Sequence, residues 1–410
     1  MSEDVLELEL TGMAYGGDAL GRDDSGRMTF VPFGIPGERV RAEIVESHKR
    51  WARARLLQVL QPSPKRIEAR CLHYGVCGGC HYQHISYEEQ LAAKRDIVRE
   101  QLQRIGGFAD PPVREPIPSP DPWGYRNHLR FSLTPEAELG FVDRSGERVF
   151  RVQECHLPEP PVAELWPQLE LEVIPALQAV GVRVGGDPED RMVIFHGEGL
   201  PQMELHSDLP ASVIWLTPDG QLILAGEDHM TFQVNNRSFR VSGGTFFQVN
   251  SSLLEELVAL AIEPLQPQSA ATIFDLYAGA GLFSAFVAQR GAAVVGVEVS
   301  PWAAADYVYN LAEFEDVALY ESSVELALPQ IPAVPGGVIV DPPRAGLSRK
   351  VLNQLVAISP PSLVYISCDP ATLARDGKWL ARSGFQLSHI TPIDLFPQTY
   401  HIETVSFWQS

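Results

Sequence analysis

The chain has 410 residues, and 52 acidic against 32 basic side chains give it a formal net charge of −20. That length allows two to three domains with ample cores, since domains run to about 100–200 residues, and no apolar run approaches the roughly 20 residues that span a bilayer. The charge sum argues against indiscriminate nucleic-acid binding, and the start Met1-Ser2-Glu3-Asp4 with an odd cysteine count points to a reducing cytoplasm rather than a disulfide-bonded secreted protein.

Residues 1–62 read as short strands with glycine turns. Apolar alternation recurs over 5–10, 28–31, 40–44 and 54–60, with Gly16-Gly17 between the first two, a spacing that predicts a small OB-like barrel. Charge is unevenly spread here. Between 39 and 70 lie Arg39, Arg41, Lys49, Arg50, Arg53, Arg55, Lys65, Arg66 and Arg70, against Glu43, Glu46 and Glu68. With Trp51 inside it, the stretch suits a phosphate backbone and a stacked base, and suits a solvated barrel face equally well.

Four cysteines follow a metal pattern. Cys71, Cys77 and Cys80 form C-x5-C-x2-C among Gly75, Gly78 and Gly79, and Cys155 comes about one small domain later. Four soft thiolates suit a 4Fe-4S cluster or tetrahedral zinc; zinc ribbons pair their ligands as two C-x2-C units, so the cluster is favoured without zinc being excluded.

Residues 86–105 carry a helical pattern, with Leu91, Ile97, Val98, Leu102 and Ile105 on one side and Gly106-Gly107 as the stop. Strand-like pieces return at 130–133, 193–195, 212–216 and 239–241, around a helix expected near 161–180. Proline-rich stretches at 111–122 and 157–161 read as crossings between domains.

The last third alternates apolar strands with helices, as a parallel α/β sheet does. The strand at 271–274 runs into Asp275-Leu276 and then Tyr277-Ala278-Gly279-Ala280-Gly281, with a helix from about Leu282. Ser284 occupies the third glycine position of a dinucleotide fingerprint, which disfavours nicotinamide. A second strand, 293–297, ends at Glu298, an acid placed to hold two ribose hydroxyls, as in S-adenosylmethionine sites. Two more strands, 338–340 and 363–367, end at Asp341-Pro342-Pro343-Arg344 and at Cys368-Asp369-Pro370, so four strand ends converge on one edge.

Methyltransferases that act on exocyclic amines follow their Pro-Pro motif with an aromatic residue, and here Arg344 stands instead. The lone Cys368 suits a carbon acceptor. A thiolate adding to carbon 6 of uracil makes carbon 5 nucleophilic, and a base must then remove the carbon-5 proton. Glu403, at the start of a last strand, is the candidate base; a buried strand-end thiol and an edge-strand glutamate are the plain alternatives for the two residues.

These motifs resemble the RNA 5-methyluridine methyltransferases, and within them the iron–sulfur branch typified by the bacterial 23S rRNA (uracil-5-)-methyltransferase. The match runs nearly end to end through the barrel, the cysteine pattern, G-Y-R-N (124–127), F-F-Q-V-N (246–250), D-L-Y-A-G-A-G-L-F-S (275–284), D-P-P-R (341–344), S-C-D-P-A-T-L-A-R-D (367–376) and H-I-E-T-V (401–405). The resemblance implies a multidomain α/β protein with an OB-like TRAM β-barrel (1–62), a central α+β iron–sulfur domain (63–85 and 125–240) and a Rossmann-like methyltransferase domain (86–124 and 241–410). It implies Cys71, Cys77, Cys80 and Cys155 as 4Fe-4S ligands, Gln248, Tyr277, Glu298 and Asp341 with Gly279 around S-adenosylmethionine, Cys368 as nucleophile and Glu403 as proton acceptor. Arg50, Trp51, Arg126 and Arg130 are the expected RNA contacts. Two positions depart from the pattern: Leu282 stands where a polar residue often meets the cofactor, and Ser323, or Ser322 by an equally good alignment, where Asp or Asn is common. The expected partner is structured RNA, 23S rRNA first and the tRNA T loop second, bound by a cytoplasmic monomer; a non-catalytic redox-sensing RNA-binding protein is the alternative of another class.

Overall fold

Alternation of apolar and charged residues at the N-terminus closes a barrel. In the computed structural model, which describes residues 5–201, 209–266 and 271–410, β1 (Val5–Met13), β2 (Ala19–Arg22), β3 (Met28–Val31), β4 (Arg39–Ser47) and β5 (Trp51–Gln61) join in the order β1-β2-β3-β5-β4. Leu8 and Leu10 point inward while Glu7 and Glu9 face water, as a period of two requires. The short β2 was not expected.

The early helix α1 (Tyr87–Gln101) ends in a wide turn at Leu102–Gly106, and Gly107 takes the left-handed conformation that stops it. Its buried face is only partly apolar, because Gln90, Lys94 and Gln101 lie inside with Ile97 and Val98. Lys94 Nζ meets Asp394 Oδ1 at 2.6 Å and the carbonyl of Phe396 at 2.9 Å, so α1 is tied to the end of the chain.

The middle of the chain forms a seven-stranded sheet in the order β12-β11-β10-β9-β6-β7-β8. Its strands are β6 (His128–Leu133), β7 (Leu139–Val142), β8 (Val149–Arg151), β9 (Leu177–Val184), β10 (Arg191–Gly197), β11 (Ser212–Thr217) and β12 (Gly220–Ala225). The helix expected over 161–180 is corrected here. The helix α2 spans Pro160–Leu165, a single tight turn follows through Pro167, and the chain from Leu177 is a buried strand. Pro167 cannot continue a helix, and the valines of L-Q-A-V-G-V-R-V suit a strand buried on both faces.

A hairpin, β13 (His229–Val234) with β14 (Arg237–Ser242), packs Met230, Phe232, Phe239 and Val241 against the C-terminal part of the chain. That part begins with α3 (Leu254–Ile262) and holds a second seven-stranded sheet in the order β17-β16-β15-β18-β19-β21-β20. The strands are β15 (Thr272–Leu276), β16 (Ala293–Glu298), β17 (Val317–Glu321), β18 (Gly337–Val340), β19 (Ser362–Ser367), β20 (Gln386–Ile393) and β21 (Glu403–Gln409). The first five are mutually parallel, and β21 enters antiparallel between β19 and β20. Between them run α4 (Leu282–Gln289), α5 (Pro301–Asn310), α6 (Val324–Ala327), α7 (Arg349–Ile358) and α8 (Pro370–Arg382). One continuous core joins barrel residues such as Leu10 and Ile35 through Ile97 and Val98 to Val340 and Tyr365. No helix among the described residues is long and apolar enough to cross a membrane.

Candidate active site

Strand register brings the two proposed reacting groups together. The antiparallel ladder pairs Ser367 of β19 with Thr404 of β21, so Cys368 at the end of one strand stands opposite Glu403 at the start of the other. Hydrogen bonds fix the Cys368 turn on both sides. Ser367 Oγ donates to the carbonyl of Asp369 and accepts from its N–H, and Asp369 Oδ1 caps α8 by accepting from the N–H groups of Ala371 and Thr372, each at 2.9 Å. Thr404 Oγ1 donates to the Ser367 carbonyl at 3.1 Å and binds β21 to the same turn.

Electrostatics there favour protons on all three acids. Burial first, then the charges of Glu403 and Asp341, push the Cys368 thiol up to about 12, against Arg344 pulling it down. The N-terminus of α8 also favours a thiolate, but the desolvation outweighs it. Glu403 is 3% exposed, and burial with the nearby Asp341 charge holds its carboxyl well above the usual range. Asp341 itself is raised to about 7, by burial and then by Asp275. A carboxyl with such affinity for a proton is a competent acceptor once it is ionised.

Arg344, in the loop after Asp341, is held by aromatic hydroxyls. It donates to Tyr400 Oη at 3.2 Å and to Tyr15 Oη at 3.5 Å, lies 3.7 Å from Asp369 Oδ2, and faces the Tyr400 ring. Tyr15 belongs to the barrel. The sequence reading missed Tyr15 and Tyr400 altogether and took Arg344 only as a missing aromatic; an Arg directly after Pro-Pro at a strand end was the available signal.

The candidate cofactor pocket lies at the neighbouring strand ends. Tyr277, with a φ of 68°, donates its N–H to the Val297 carbonyl at 2.9 Å, and this reversal levels the loop with Glu298. Glu298 Oε2 accepts from Gly279 N–H at 2.8 Å while Oε1 accepts from Val299 and Ser300 N–H at 2.8 and 2.7 Å. The carboxylate is thereby locked in place at the end of β16. Gly279 has a φ of 56° and open space where a side chain would stand, whereas a Cβ on Gly281 would lie 2.4 Å from Leu311. The first glycine thus leaves room at the pocket and the second allows α4 to pack. Ser284 donates to Asp275 Oδ2 through its N–H at 3.0 Å and its hydroxyl at 2.6 Å, while buried Asp275 Oδ1 has no partner among the described residues. Leu282 is buried in the core, and Ser323 caps the short α6 by backbone alone. Ser322 N–H donates to the Glu298 carbonyl at 2.9 Å.

Gln248 is buried on a segment that G-Y-R-N grips. Asn127 Nδ2 donates to the Gln248 carbonyl at 2.9 Å, and Asn127 N–H to the Val249 carbonyl at 2.9 Å. Two residues before Gln248, Phe246 stands 71% exposed, an aromatic that the sequence reading passed over. Arg126 is half-buried with its Nε unpartnered among the described residues, and Arg130 is exposed on β6.

The basic stretch of the barrel is largely spent on internal pairs. Arg39 and Arg41 bind Glu7, Arg55 binds Glu43, Arg53 binds Asp18, and Arg66 binds buried Glu38 at 2.7 Å. Lys49 and Arg50 are exposed at the β4–β5 turn, and Trp51 has one face stacked on His48 at 4.2 Å. Arg70 faces Trp123 at 5.5 Å.

The cysteine loop is stitched to the segment that carries Cys155. Gly78 N–H donates to the Val142 carbonyl, Arg144 N–H to the Val76 carbonyl, Leu72 N–H to Glu154 Oε1 and Gln153 N–H to His73 Nε2, at 2.7 to 3.1 Å. All four thiols are raised chiefly by burial, Cys80 to about 12 and Cys155 to about 11, and each of these two feels both Cys71 and Cys77. Among the described residues, no three His, Cys, Asp or Glu side chains gather as one metal ion requires.

Residues 334–409 match the family described as tRNA (Uracil-5-)-methyltransferase, and residues 3–57 match the TRAM domain. An RNA methyltransferase of Aquifex aeolicus, named as uncharacterized, is 34% identical over 99% of both chains; another, of Streptomyces avermitilis, is 32% identical over 98% of this chain and 97% of its own. The crystal structure of Pyrococcus abyssi tRNA (uracil-54, C5)-methyltransferase in complex with S-adenosyl-L-homocysteine overlays with a TM-score of 0.74 at 25% identity, covering 98% of this chain and 100% of that one. With relatives matched end to end, a TRAM barrel in front and a (uracil-5-)-methyltransferase match over the strands that carry Asp341, Cys368 and Glu403, the chain belongs to the RNA methyltransferase family of these relatives.

Proposed function

We propose that this enzyme methylates carbon 5 of a uridine in structured RNA, with S-adenosylmethionine as methyl donor and a transient bond between Cys368 and uracil carbon 6. The observation that carries the reading is the ladder register that sets Cys368 opposite Glu403, beside Asp341. S-adenosylmethionine supplies a methyl group on a sulfonium. The strand-end loop fits such a ligand: Gly279 leaves room and Glu298 is held rigid for ribose hydroxyls, while Gln248, Tyr277 and Asp341 would line the pocket. The thiolate of Cys368 adds to carbon 6, and the electron pair displaced to carbon 5 takes the methyl group as the methyl–sulfur bond breaks and the donor leaves as the neutral thioether S-adenosylhomocysteine. The Glu403 carboxylate then accepts the carbon-5 proton, and the carbon–sulfur bond breaks to restore the thiolate and the ring double bond. Arg344, anchored by Tyr15 and Tyr400, favours the thiolate form. A uridine reaches this recessed thiol by leaving its stack.

Cys71, Cys77, Cys80 and Cys155 would hold a 4Fe-4S cluster as a structural element. Their support is a donor set of four soft thiols on two stitched segments. For the substrate, 23S rRNA rests on the motif resemblance, and a tRNA T-loop uridine is supported by the likeness to the Pyrococcus abyssi enzyme.

The test is incubation of anaerobically purified protein with labelled S-adenosylmethionine and unmodified ribosomal or transfer RNA, followed by nucleoside analysis. Label in 5-methyluridine supports the reading, and the pool that carries it names the target. Cys368→Ala is expected to abolish transfer and keep S-adenosylmethionine binding, while Glu403→Gln is expected to trap RNA in a denaturation-resistant complex; turnover by the first variant would sink the covalent route.

A further inference from the structure

The helix that starts at the nucleophile carries a basic stripe away from it. Arg375, Lys378, Trp379 and Arg382 follow the i, i+3, i+4, i+7 spacing of one helix face, while Leu373, Ala374, Gly377 and Leu380 are buried on the other. Arg349, at the start of α7, lays its guanidinium on the Trp379 ring at 3.8 Å from the centroid. Together these side chains line an open groove of about 560 Å³ on a chain whose net charge is −20. Asp376, the acidic side chain lining it, is buried and accepts from Leu347 N–H, Tyr365 Oη and Arg375 Nε. Positive charge therefore remains on Arg349, Lys378 and Arg382.

The groove is continuous with the active site. Arg375 Nη2 donates to the carbonyls of Ala345 and Leu347 at 2.9 and 3.3 Å, and Thr372 Oγ1 to that of Arg344 at 3.4 Å, so its floor is the loop that follows Asp341. From Pro370 to Arg382 the helix rises about 18 Å, a path of several nucleotides.

We infer that this groove is a track for the RNA backbone on one side of the target uridine, with phosphates against Lys378 and Arg382 and a sugar or base against the Arg349 guanidinium plane. The barrel, whose cations are mostly paired internally, then shares the grip with the catalytic domain. An acidic protein repels a polyanion least where its cations are left unpaired, and a planar guanidinium fixed on an indole offers both charge and a stacking face. The inference deepens the proposed function and rests on it for the choice of RNA.

The test measures binding of fluorescent unmodified tRNA and 23S rRNA transcripts across a salt series, for wild type and for Arg349→Gln/Arg382→Gln. Loss of the Arg382 phosphate contact and of the Arg349 stacking face is expected to flatten the slope of log affinity against log salt by about 0.7 and to raise KM for RNA about tenfold with kcat preserved. Arg382→Glu, which breaks no hydrogen bond recorded among the described residues, serves as the second variant and is expected to weaken binding without lowering the melting temperature. An unchanged slope and KM in both variants overturns the track, even while 5-methyluridine still forms. A flattened slope in a protein that methylates neither transcript keeps the track and overturns the proposed function instead.

Discussion

Tyr15 donates its hydroxyl to Asp369 Oδ2 at 3.0 Å across 354 residues of sequence, so a barrel side chain touches the residue next to the proposed nucleophile, Cys368. The same hydroxyl accepts from Arg344, and the Tyr15 ring meets Tyr400 edge-on at 5.8 Å. The TRAM barrel and the proposed catalytic turn are thereby coupled through one phenol.

Tyr15→Phe keeps the ring and removes only the hydroxyl. A bond to a charged group contributes about 1.5–3 kcal/mol, so kcat is expected to fall at least about tenfold, with KM for S-adenosylmethionine unchanged. Steady-state kinetics separate this from a folding defect, which would lower active enzyme without altering the pH profile.

Asp275 gives a pH signature in stability. Burial raises its carboxyl from 3.8 to about 6, against the two Ser284 bonds that lower it. The folded state therefore binds the proton more tightly than the unfolded one, and the stability this contributes is present below about 4 and lost as pH rises to about 6. Asp275→Asn should remove that loss, so its stability relative to wild type is expected to grow between pH 4 and 6 by on the order of 3 kcal/mol and then level off. Urea denaturation at several pH values checks the sign; a difference that shrinks with pH would refute the assignment.

Lys94 and Asp394 are each 2% exposed, and they join α1 to the segment before β21. Lys94→Met leaves Asp394 buried without its partner, at an expected cost of about 3–5 kcal/mol. The double variant Lys94→Met/Asp394→Leu should recover much of it, and denaturant midpoints measure both.

Cys77→Ser tests the metal assignment. If the four cysteines hold one cluster as proposed, anaerobic protein is expected to lose its brown absorbance and most of its iron, with Cys155→Ser behaving alike. Zinc in wild type, at one ion per chain and without iron, would replace the cluster.

Legibility in the sequence followed the chemistry. The placement of Cys368, Glu403, Asp341 and Glu298 at strand ends was readable because apolar runs followed by turn residues mark the ligand edge of a parallel sheet. Tyr15, Tyr400 and the binding role of Arg344 were not, since a tyrosine in a glycine hairpin has no local mark of a partner 354 residues away. Lys94 was hidden for the same reason: its face reads as a break in the apolar stripe until Asp394 fills it. The missed strand at Leu177–Val184 shows the converse, where a short apolar run after a proline fits either period and only its neighbours on both sides make it a strand.

By itself the sequence determined what is local and periodic: the barrel alternation, α1, the alternating α/β third, and the residue types the chemistry needs. The tertiary structure alone decided which of them meet. The antiparallel insertion of β21 sets Glu403 opposite Cys368, and the docking of the barrel brings Tyr15 to Asp369. Backbone propensity acts over a few residues, whereas register and docking are set by burial and hydrogen bonding between segments hundreds of residues apart.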